Sequence, residues 1–257
     1  MYILGLNLFH ADSSACLLKD GVLIAAAEEE RFRRIKHWAG FPSEAIKWCL
    51  LEADINLENV QHIALNQDAK ANLGKKIMFT LSKRPSFKML LNRFQNKYKR
   101  LSVKDHILKA FPNSEFKGSI HSIEHHTAHL SSAFHVSPFN EAVAVSVDGF
   151  GDFASTAWGT GHGIKINLEK RIYFPHSLGI FYQALTQFIG FHNYGDEYKV
   201  MGLAPYGKPI YIKQMREIVK LKTDGGFELN LDYFRPVSYT HLRAHETVLD
   251  LVCRLLL

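Results

Sequence analysis

Three short apolar segments open the chain, and their tight connections constrain the fold more than any other feature. Tyr2–Asn7 and Ser14–Leu18 have the length and composition of strands, with a polar loop between them. The dipeptide Asp20-Gly21 is typical of a two-residue β-hairpin turn, and Val22–Ala27 follows as the returning strand. The sequence therefore predicts a domain that begins with three short strands.

Helical and strand patterns alternate along the rest of the chain. A helix is predicted over Glu44–Ala53, and Glu141–Val147 alternates as a strand does. The other predicted elements are strands over Val60–Leu65, Thr156–Thr160 and Ile164–Leu168, helices over His125–His135, Ile180–Ile189 and Pro209–Lys220, and a Gly- and Pro-containing loop over Tyr198–Lys208. Strands that come first and then alternate with helices indicate an α/β fold with a mixed sheet.

The net charge of +6 arises in one segment of the chain. Between Ala69 and Lys104 there are 11 Lys or Arg and no acidic residue, whereas the remainder has 20 basic and 25 acidic residues. A local surplus argues against a nucleic-acid-binding function for the whole chain. We predict a helical insertion over about residues 69–104, broken at Pro85, which attracts acidic or phosphorylated ligands. An RNA-binding module is the alternative, since aromatic side chains are interleaved with its charges.

The cellular compartment is predicted from three features: the lack of a long apolar run, the lack of a secretory signal pattern, and the cysteine count. The apolar runs are shorter than the 18 residues that a membrane span needs, and the N-terminus has no secretory signal pattern. Cys16, Cys49 and Cys253 are odd in number and far apart, which fits a reducing environment. We therefore expect a cytoplasmic protein without a membrane partner.

His125 and His129 give the sharpest chemical signal in the sequence. Side chains four residues apart lie on one face of a helix, so two imidazoles can share one metal ion. Asp148 follows a predicted strand and offers a carboxylate as a third ligand, a set that suits iron, manganese or zinc. A helix with ordinary surface and core histidines is the alternative. A zinc protease is disfavoured, because His126 stands where its general base, a glutamate, would be.

Two polar segments are candidates for binding anions. Asp148–Asp152 is predicted as a turn whose glycines let backbone N–H groups approach a phosphate, with an ordinary Asp-Gly turn as the alternative. The charged run Glu28–His37 is typical of a solvated loop, although Arg34 or Lys36 could hold an anionic substrate.

Six motifs in this order resemble the O-carbamoyltransferases of the nodulation protein U and tobramycin/cephalosporin type. The resemblance covers residues 1–235. The motifs are Ile3–Asn7 with His10, Asp12 and Ser13; Glu28–Phe32 with Lys36 and His37; Glu124–His129; Val147–Asp152; Pro175–Tyr182; and Glu197–Gly207.

The resemblance implies an actin/Hsp70/sugar-kinase-like (ASKHA) fold, similar to the universal tRNA threonylcarbamoyladenosine transferase. In such enzymes a C-terminal YrdC-like domain makes carbamoyl adenylate from carbamoyl phosphate and ATP. The N-terminal domain then transfers the carbamoyl group to a hydroxyl of a sugar or antibiotic-like small molecule. A sugar kinase or ATPase of the same superfold, or a tRNA-modifying transferase-like module, is the alternative function.

The resemblance also implies roles for individual residues. His125, His129 and Asp148 would bind iron(II), and a fourth ligand, an aspartate, would lie beyond the end of this chain. Residues implied to face the adenylate are Gly149, Gly151 and Gly179, and those implied to bind the acceptor are His10, Asp12, Lys36, Glu197 and Lys199. Among catalytic residues, His10 is the first candidate for the base, because its pKa can lie near 7, and Asp12 is the second; Lys36 would assist.

The end of the sequence does not fit the family pattern. Residues 236–257 resemble a recurrent non-native ending, so we expect the native part to stop within a second, incomplete lobe. We expect that the YrdC-like domain is missing and that the chain alone is inactive.

Overall fold

The computed structural model describes residues 1–83 and 102–234. The chain divides into two compact units, Met1–Ala128 and His129–Leu257. The second predicted helix of the basic insertion and the predicted non-native tail lie outside the described residues. Within the described ranges, no helix has the length and apolarity needed to cross a membrane.

The first unit contains a five-stranded mixed sheet in the order β3-β2-β1-β4-β5. The first three strands pair antiparallel, whereas β4 runs parallel to β1 and β5 runs parallel to β4. The strands are β1 (Tyr2–Asn7), β2 (Ser14–Lys19), β3 (Val22–Glu28), β4 (His62–Leu65) and β5 (Ser119–Ser122), and the helices are α1 (Glu30–Arg33), α2 (Ser43–Glu52), α3 (Leu73–Lys83) and α4 (Val103–Ala110). The predicted α/β class with a mixed sheet is confirmed.

Helix α2 covers this sheet and is capped by a buried carboxylate. Its inward residues Ala45, Ile46, Cys49 and Leu50 are buried in the core of the unit. Glu29 is fully buried, and its side chain accepts hydrogen bonds from the backbone N–H groups of Glu44 (3.2 Å) and Ala45 (2.8 Å). The Arg33 Nε group donates to the same carboxylate at 2.7 Å. The charged run Glu28–His37 is therefore not simply a solvated loop, because the Glu29 carboxylate caps the N-terminus of α2.

The second unit is built on a three-stranded antiparallel sheet in the order β6-β7-β8. Its elements are α5 (His125–Phe134), whose first turn belongs to the first unit, β6 (Glu141–Gly151), β7 (Ala154–His162), β8 (Lys165–Tyr173), α6 (Leu178–Phe188), α7 (Glu197–Leu203), α8 (Ile212–Ile218), β9 (Val219–Leu221) and β10 (Phe227–Leu229). Leu130 and Phe134 of α5 pack on Ala144 and Ala157 of the sheet. Gly161 admits the Phe134 ring, since a Cβ there would lie 2.5 Å from a ring carbon.

The structure corrects two local predictions. The segment Tyr198–Lys208 is not a loop, because α7 covers its residues up to Leu203 and a 3-10 turn follows at Ala204–Tyr206. Pro205 is tolerated there because the first residues of a helical turn need no intrahelical N–H partner. The helix predicted over Pro209–Lys220 ends at Ile218, where Val219 begins a strand that pairs with β10.

The predicted glycine turn at Asp148–Asp152 is also different. Strand β6 continues through Gly151, and the hairpin turn is formed by Asp152 and Phe153, both at positive φ (49° and 75°). Neither Gly149 nor Gly151 adopts a positive φ. These glycines therefore lie on a strand and are not required by the turn.

We expect Glu29→Gln to lower the free energy of unfolding by about 3 kcal/mol, because it leaves buried partners without a carboxylate. Urea unfolding measures the change. Glu44→Gln is the matched control: Glu44 forms an exposed ion pair with Lys47, and we expect a loss under about 1 kcal/mol. Equal losses in the two variants would contradict the capping role of Glu29.

His176 makes the second unit sensitive to acid. Its Nδ1 accepts a hydrogen bond from the Leu229 N–H at 3.1 Å, which requires an unprotonated nitrogen. Burial lowers the pKa of His176, with Lys222 acting in the same direction and Glu228 opposing it. Because the folded pKa is below the unfolded one, the stabilisation is complete above about pH 6.5 and is lost as the pH falls towards the folded pKa.

The His176→Asn variant tests this dependence, since its Oδ1 can accept the same hydrogen bond and does not titrate. We expect the thermal midpoint of the unaltered chain to fall more between pH 7.5 and pH 5.5 than that of the variant. The same decline in both proteins would show that His176 is not the group responsible.

Candidate functional site

Both predicted histidine ligands lie on α5, and the ring orientation of His125 is fixed by the first unit. The Nδ1 atom of His125 lies 3.2 Å from the backbone oxygen of Asn66, just after β4. The Asn66 side chain in turn donates to the Asn7 side-chain oxygen, at the end of β1, at 3.0 Å. A carbonyl beside Nδ1 favours the tautomer with the proton on Nδ1 and the lone pair on Nε2, the arrangement usual in histidine ligands.

The structure brings the three predicted ligands together. The Nε2 atom of His129 lies 3.7 Å from Oδ2 of Asp148. His125, one turn earlier on the same helix, completes a group whose ligand atoms all lie within 4.8 Å of one another. All three side chains are partly or fully exposed, so an ion could reach them. Two imidazoles and one carboxylate at this separation can chelate a single divalent cation.

The start of α6 holds the end of β6 in place. Ser177 caps this helix by accepting the Ile180 N–H at 3.1 Å. Its hydroxyl lies 3.0 Å from the carbonyl oxygen of Asp148 and 2.7 Å from that of Gly149. The Gly149 N–H lies 2.6 Å from Asp148 Oδ1 and so fixes the carboxylate.

Gly179 makes this contact possible. A Cβ at Gly179 would lie 2.6 Å from the Asp148 carbonyl oxygen, closer than real Cβ contacts, so a side chain there would push α6 away from the strand. Gly149 has more space, as its nearest neighbour would be Ile180 Cδ1 at 3.6 Å. Gly151 lies on β6 opposite Ala154. Close packing thus requires a glycine at position 179 but not at position 149.

The predicted acceptor residues of the first unit form three contacts. His10 Nε2 lies 3.1 Å from Gln67 Oε1. Asp12 Oδ1 lies 2.9 Å from His37 Nδ1, and Lys36 Nζ donates to Glu30 Oε1 at 3.1 Å.

Glu30 joins Lys36 to His37. Its Oε2 accepts the backbone N–H of His37 at 3.0 Å. The hydrogen bonds from the His37 N–H and from Lys36 hold the pKa of Glu30 below its usual value, so it remains ionised. Sequence reasoning gave no role to Glu30 or His37 individually, although both lie within recognised motifs.

Glu197 and Lys199 lie on α7 in the second unit. Lys199 pairs with Asp196, the residue before this helix, at 2.5 Å. The side-chain hydrogen bond raises the pKa of Lys199 and lowers that of Asp196. The Tyr182 hydroxyl donates to the backbone oxygen of Glu197 at 3.3 Å. Asp196 is not identified as a site residue from the sequence, because Asp196 lies just before the recognised motif.

The thiols in the described residues are not nucleophiles. Burial raises the pKa of the Cys49 thiol to about 11, and that of Cys16 also rises through burial. A thiol in this state is protonated at neutral pH and is a poor nucleophile.

The chain is similar to two longer proteins over most of its length. The uncharacterised protein sll1178 of Synechocystis sp. is 39% identical over 91% of this chain and 39% of its own length. The nodulation protein NolNO of Sinorhizobium fredii is 32% identical over 90% of this chain and 33% of its own length. The chain therefore spans between about a third and two fifths of these relatives.

Among solved structures, YeaZ from Pseudomonas aeruginosa is similar at 14% identity with a TM-score of 0.35, over 66% of this chain and 64% of that one. A family profile described as carbamoyltransferase N-terminus matches residues 2–249. This range overlaps the segment for which we predict a non-native origin, and that origin stays a prediction. Because the profile covers nearly the whole sequence, the chain belongs to the carbamoyltransferase family, as its N-terminal region.

Proposed function

We propose that the chain is the acceptor-binding and transfer region of an O-carbamoyltransferase. In this reaction an acceptor hydroxyl oxygen attacks the carbamoyl carbon of carbamoyl adenylate, the bond to the phosphate oxygen breaks, and AMP leaves. Family membership supports carbamoyl transfer in general. The observation that carries the finer proposal is the group formed by His125, His129 and Asp148 beside the start of α6.

We assign a divalent cation, iron(II) first, to His125, His129 and Asp148. When bound, such an ion polarises the carbonyl of the mixed anhydride and stabilises the charge that develops on it. The chain's own contribution is orientation: Asn66 aligns the His125 ring, and the Gly149 N–H aligns the Asp148 carboxylate. A fourth ligand would come from the part of the family's longer proteins that this chain does not cover.

The N-terminus of α6 is suited to the adenylate. The first backbone N–H groups of a helix lack intrahelical acceptors and carry partial positive charge, which favours phosphate. Gly179 allows this helix end to lie against the end of β6, where Gly149 and Gly151 follow Asp148. We therefore propose that these three glycines border the adenylate.

We assign five residues to the binding and activation of the acceptor hydroxyl. His10 and Asp12 are the candidates for the base, and Lys36, Glu197 and Lys199 would position a hydroxylated sugar or antibiotic-like molecule. Both lysines are ion-paired, Lys36 with Glu30 and Lys199 with Asp196. The mixed sheet of the first unit is compatible with the actin-like (ASKHA) fold that we propose for the domain.

The donor would be made elsewhere in the full-length family protein. We propose that a YrdC-like domain, in the region that this chain does not cover, converts carbamoyl phosphate and ATP into carbamoyl adenylate. The need for ATP supports a cytoplasmic location. On this proposal the chain alone is inactive.

A hybrid protein tests the proposed reaction. Residues 2–234 of this chain would replace the matching region of the Synechocystis relative, and the hybrid would receive carbamoyl phosphate labelled with ¹⁴C, ATP and an aminoglycoside or oligosaccharide acceptor. We expect ¹⁴C in the acceptor. Transfer of label from [γ-³²P]ATP instead would identify a kinase and overturn the proposal.

Metal binding can be measured on the chain itself. We expect about one equivalent of Fe²⁺, Mn²⁺ or Zn²⁺ per chain by anaerobic calorimetry, and His129→Ala to weaken the binding at least about 100-fold, since a direct ligand is lost. His135→Ala, at the exposed residue that follows this helix, is the control and should bind as the unaltered chain does. Unchanged affinity in His129→Ala would refute the ligand assignment.

Gly179→Ala should disturb both the packing and the metal group. The added Cβ forces α6 away from Asp148, so we expect a stability loss of about 1–3 kcal/mol and weaker metal binding by about tenfold. The control is Gly202→Ala in α7, where a Cβ meets nothing within 4 Å. It should be neutral or slightly stabilising, because Ala favours a helix. Equal behaviour of the two variants in urea unfolding and metal titration would exclude the proposed close contact.

A further inference from the structure

We propose that His37 is a positioning residue for the transfer reaction: its imidazole holds the Asp12 carboxylate in the orientation needed to accept the proton of the acceptor hydroxyl. This inference rests on the proposed function and extends it to a residue for which the resemblance implies no role. It also favours Asp12 over His10 as the base.

The contact between the two side chains is direct and accessible. His37 Nδ1 lies 2.9 Å from Asp12 Oδ1, a normal distance for a hydrogen bond to a carboxylate. The two side chains are 39% and 44% exposed, so a small molecule in solution can reach the pair. His10, by contrast, lies beside the neutral amide of Gln67, with Nε2 3.1 Å from Gln67 Oε1.

Both backbones lie in the left-handed region. Asp12 has φ 62° and His37 has φ 53°, which is uncommon for residues with a Cβ, although Asp and His adopt it more often than most. Such conformations persist only where surrounding contacts impose them, and they are concentrated at functional sites. Two of them on segments 25 residues apart, with their side chains in contact, indicate a pair that the fold maintains.

Hydrogen bonds fix the loop of Asp12 to the loop of His37. Ser13, fully buried, donates from its backbone to the Trp38 carbonyl at 3.0 Å. Its hydroxyl accepts the Gly40 N–H and lies near the Gly40 carbonyl, both at 3.0 Å. The carbonyl of Asp12 accepts from the Asn7 side chain at 3.0 Å. The contact between Asp12 and His37 is therefore supported by hydrogen bonds of the backbone around them, and not by their side chains alone.

Glu30 holds the other side of His37. Its carboxylate accepts the His37 backbone N–H and the Lys36 ammonium, at 3.0 Å and 3.1 Å. A series of contacts thus links these residues. Lys36 pairs with Glu30, Glu30 accepts the backbone N–H of His37, and the His37 ring contacts the Asp12 carboxylate. In the reaction, the acceptor O–H bond breaks, its proton passes to Asp12, and its oxygen forms the bond to the carbamoyl carbon as AMP leaves. A carboxylate with one oxygen held by an N–H donor presents the other in a defined direction.

The test compares two substitutions of His37 in the full-length hybrid described above. In His37→Leu the donor to Asp12 is lost, and we expect kcat for ¹⁴C transfer to fall about 100-fold, with KM for carbamoyl phosphate unchanged. In His37→Asn the side-chain amide can occupy the place of Nδ1–H, and we expect recovery to within about tenfold of the unaltered hybrid. His62→Asn is the matched control, a half-buried histidine of the same unit that contacts His121 and lies outside the proposed acceptor residues, and should leave kcat unchanged.

Each outcome separates the inference from the proposed function. Absence of transfer by the unaltered hybrid would refute the proposed function itself. With transfer present, full activity in His37→Leu would overturn the positioning role. An Asn variant that is folded by thermal unfolding but as inactive as the Leu variant would also overturn it, because it would mean that the imidazole itself reacts.

Discussion

The contact between the start of α6 and the end of β6 is the one on which the candidate metal group depends. It joins a helix cap, Ser177, to two consecutive carbonyls of the strand, and it is sterically possible because residue 179 is glycine. Asp148 lies at the same strand end. This one contact therefore sets the direction of the Asp148 carboxylate and also the distance between that carboxylate and the N-terminus of α6. A carboxylate placed by backbone packing needs little reorganisation when a cation binds.

Part of this arrangement could be predicted from the sequence, because it depends on local periodicity. The His125–His129 spacing places two side chains on one face of any helix, and the hairpin signal at Asp20-Gly21 defines the strands around it. Asp148 could be predicted as well, since a carboxylate that follows an alternating segment lies at a strand end. The mixed sheet follows from the order of these elements.

The rest depends on contacts between residues distant in sequence, and these have no periodic signal. Nothing in the composition of the run Glu28–His37 indicates that Glu29 is fully buried under α2 while the next residue, Glu30, is only partly buried and pairs with Lys36. The pairing of Asp12 with His37 requires two left-handed backbones that only tertiary hydrogen bonds impose. The segment Tyr198–Lys208 differs from its prediction for another reason: Gly and Pro usually indicate a loop, but here Gly202 and Pro205 occupy helical positions that tolerate them.

The buried carboxylate of Glu29 has a consequence for how the first unit gains and loses structure. Its partners are N–H groups of α2 and a guanidinium from α1, while its own backbone follows β3 directly. If α2 detached while the sheet stayed closed, the Glu29 carboxylate would lose two of its three donors and keep only the Arg33 guanidinium, a state of higher free energy. Partially opened forms of this region are therefore suppressed. The three antiparallel strands and α2 form one cooperative folding unit, whose slowest-exchanging amides open together.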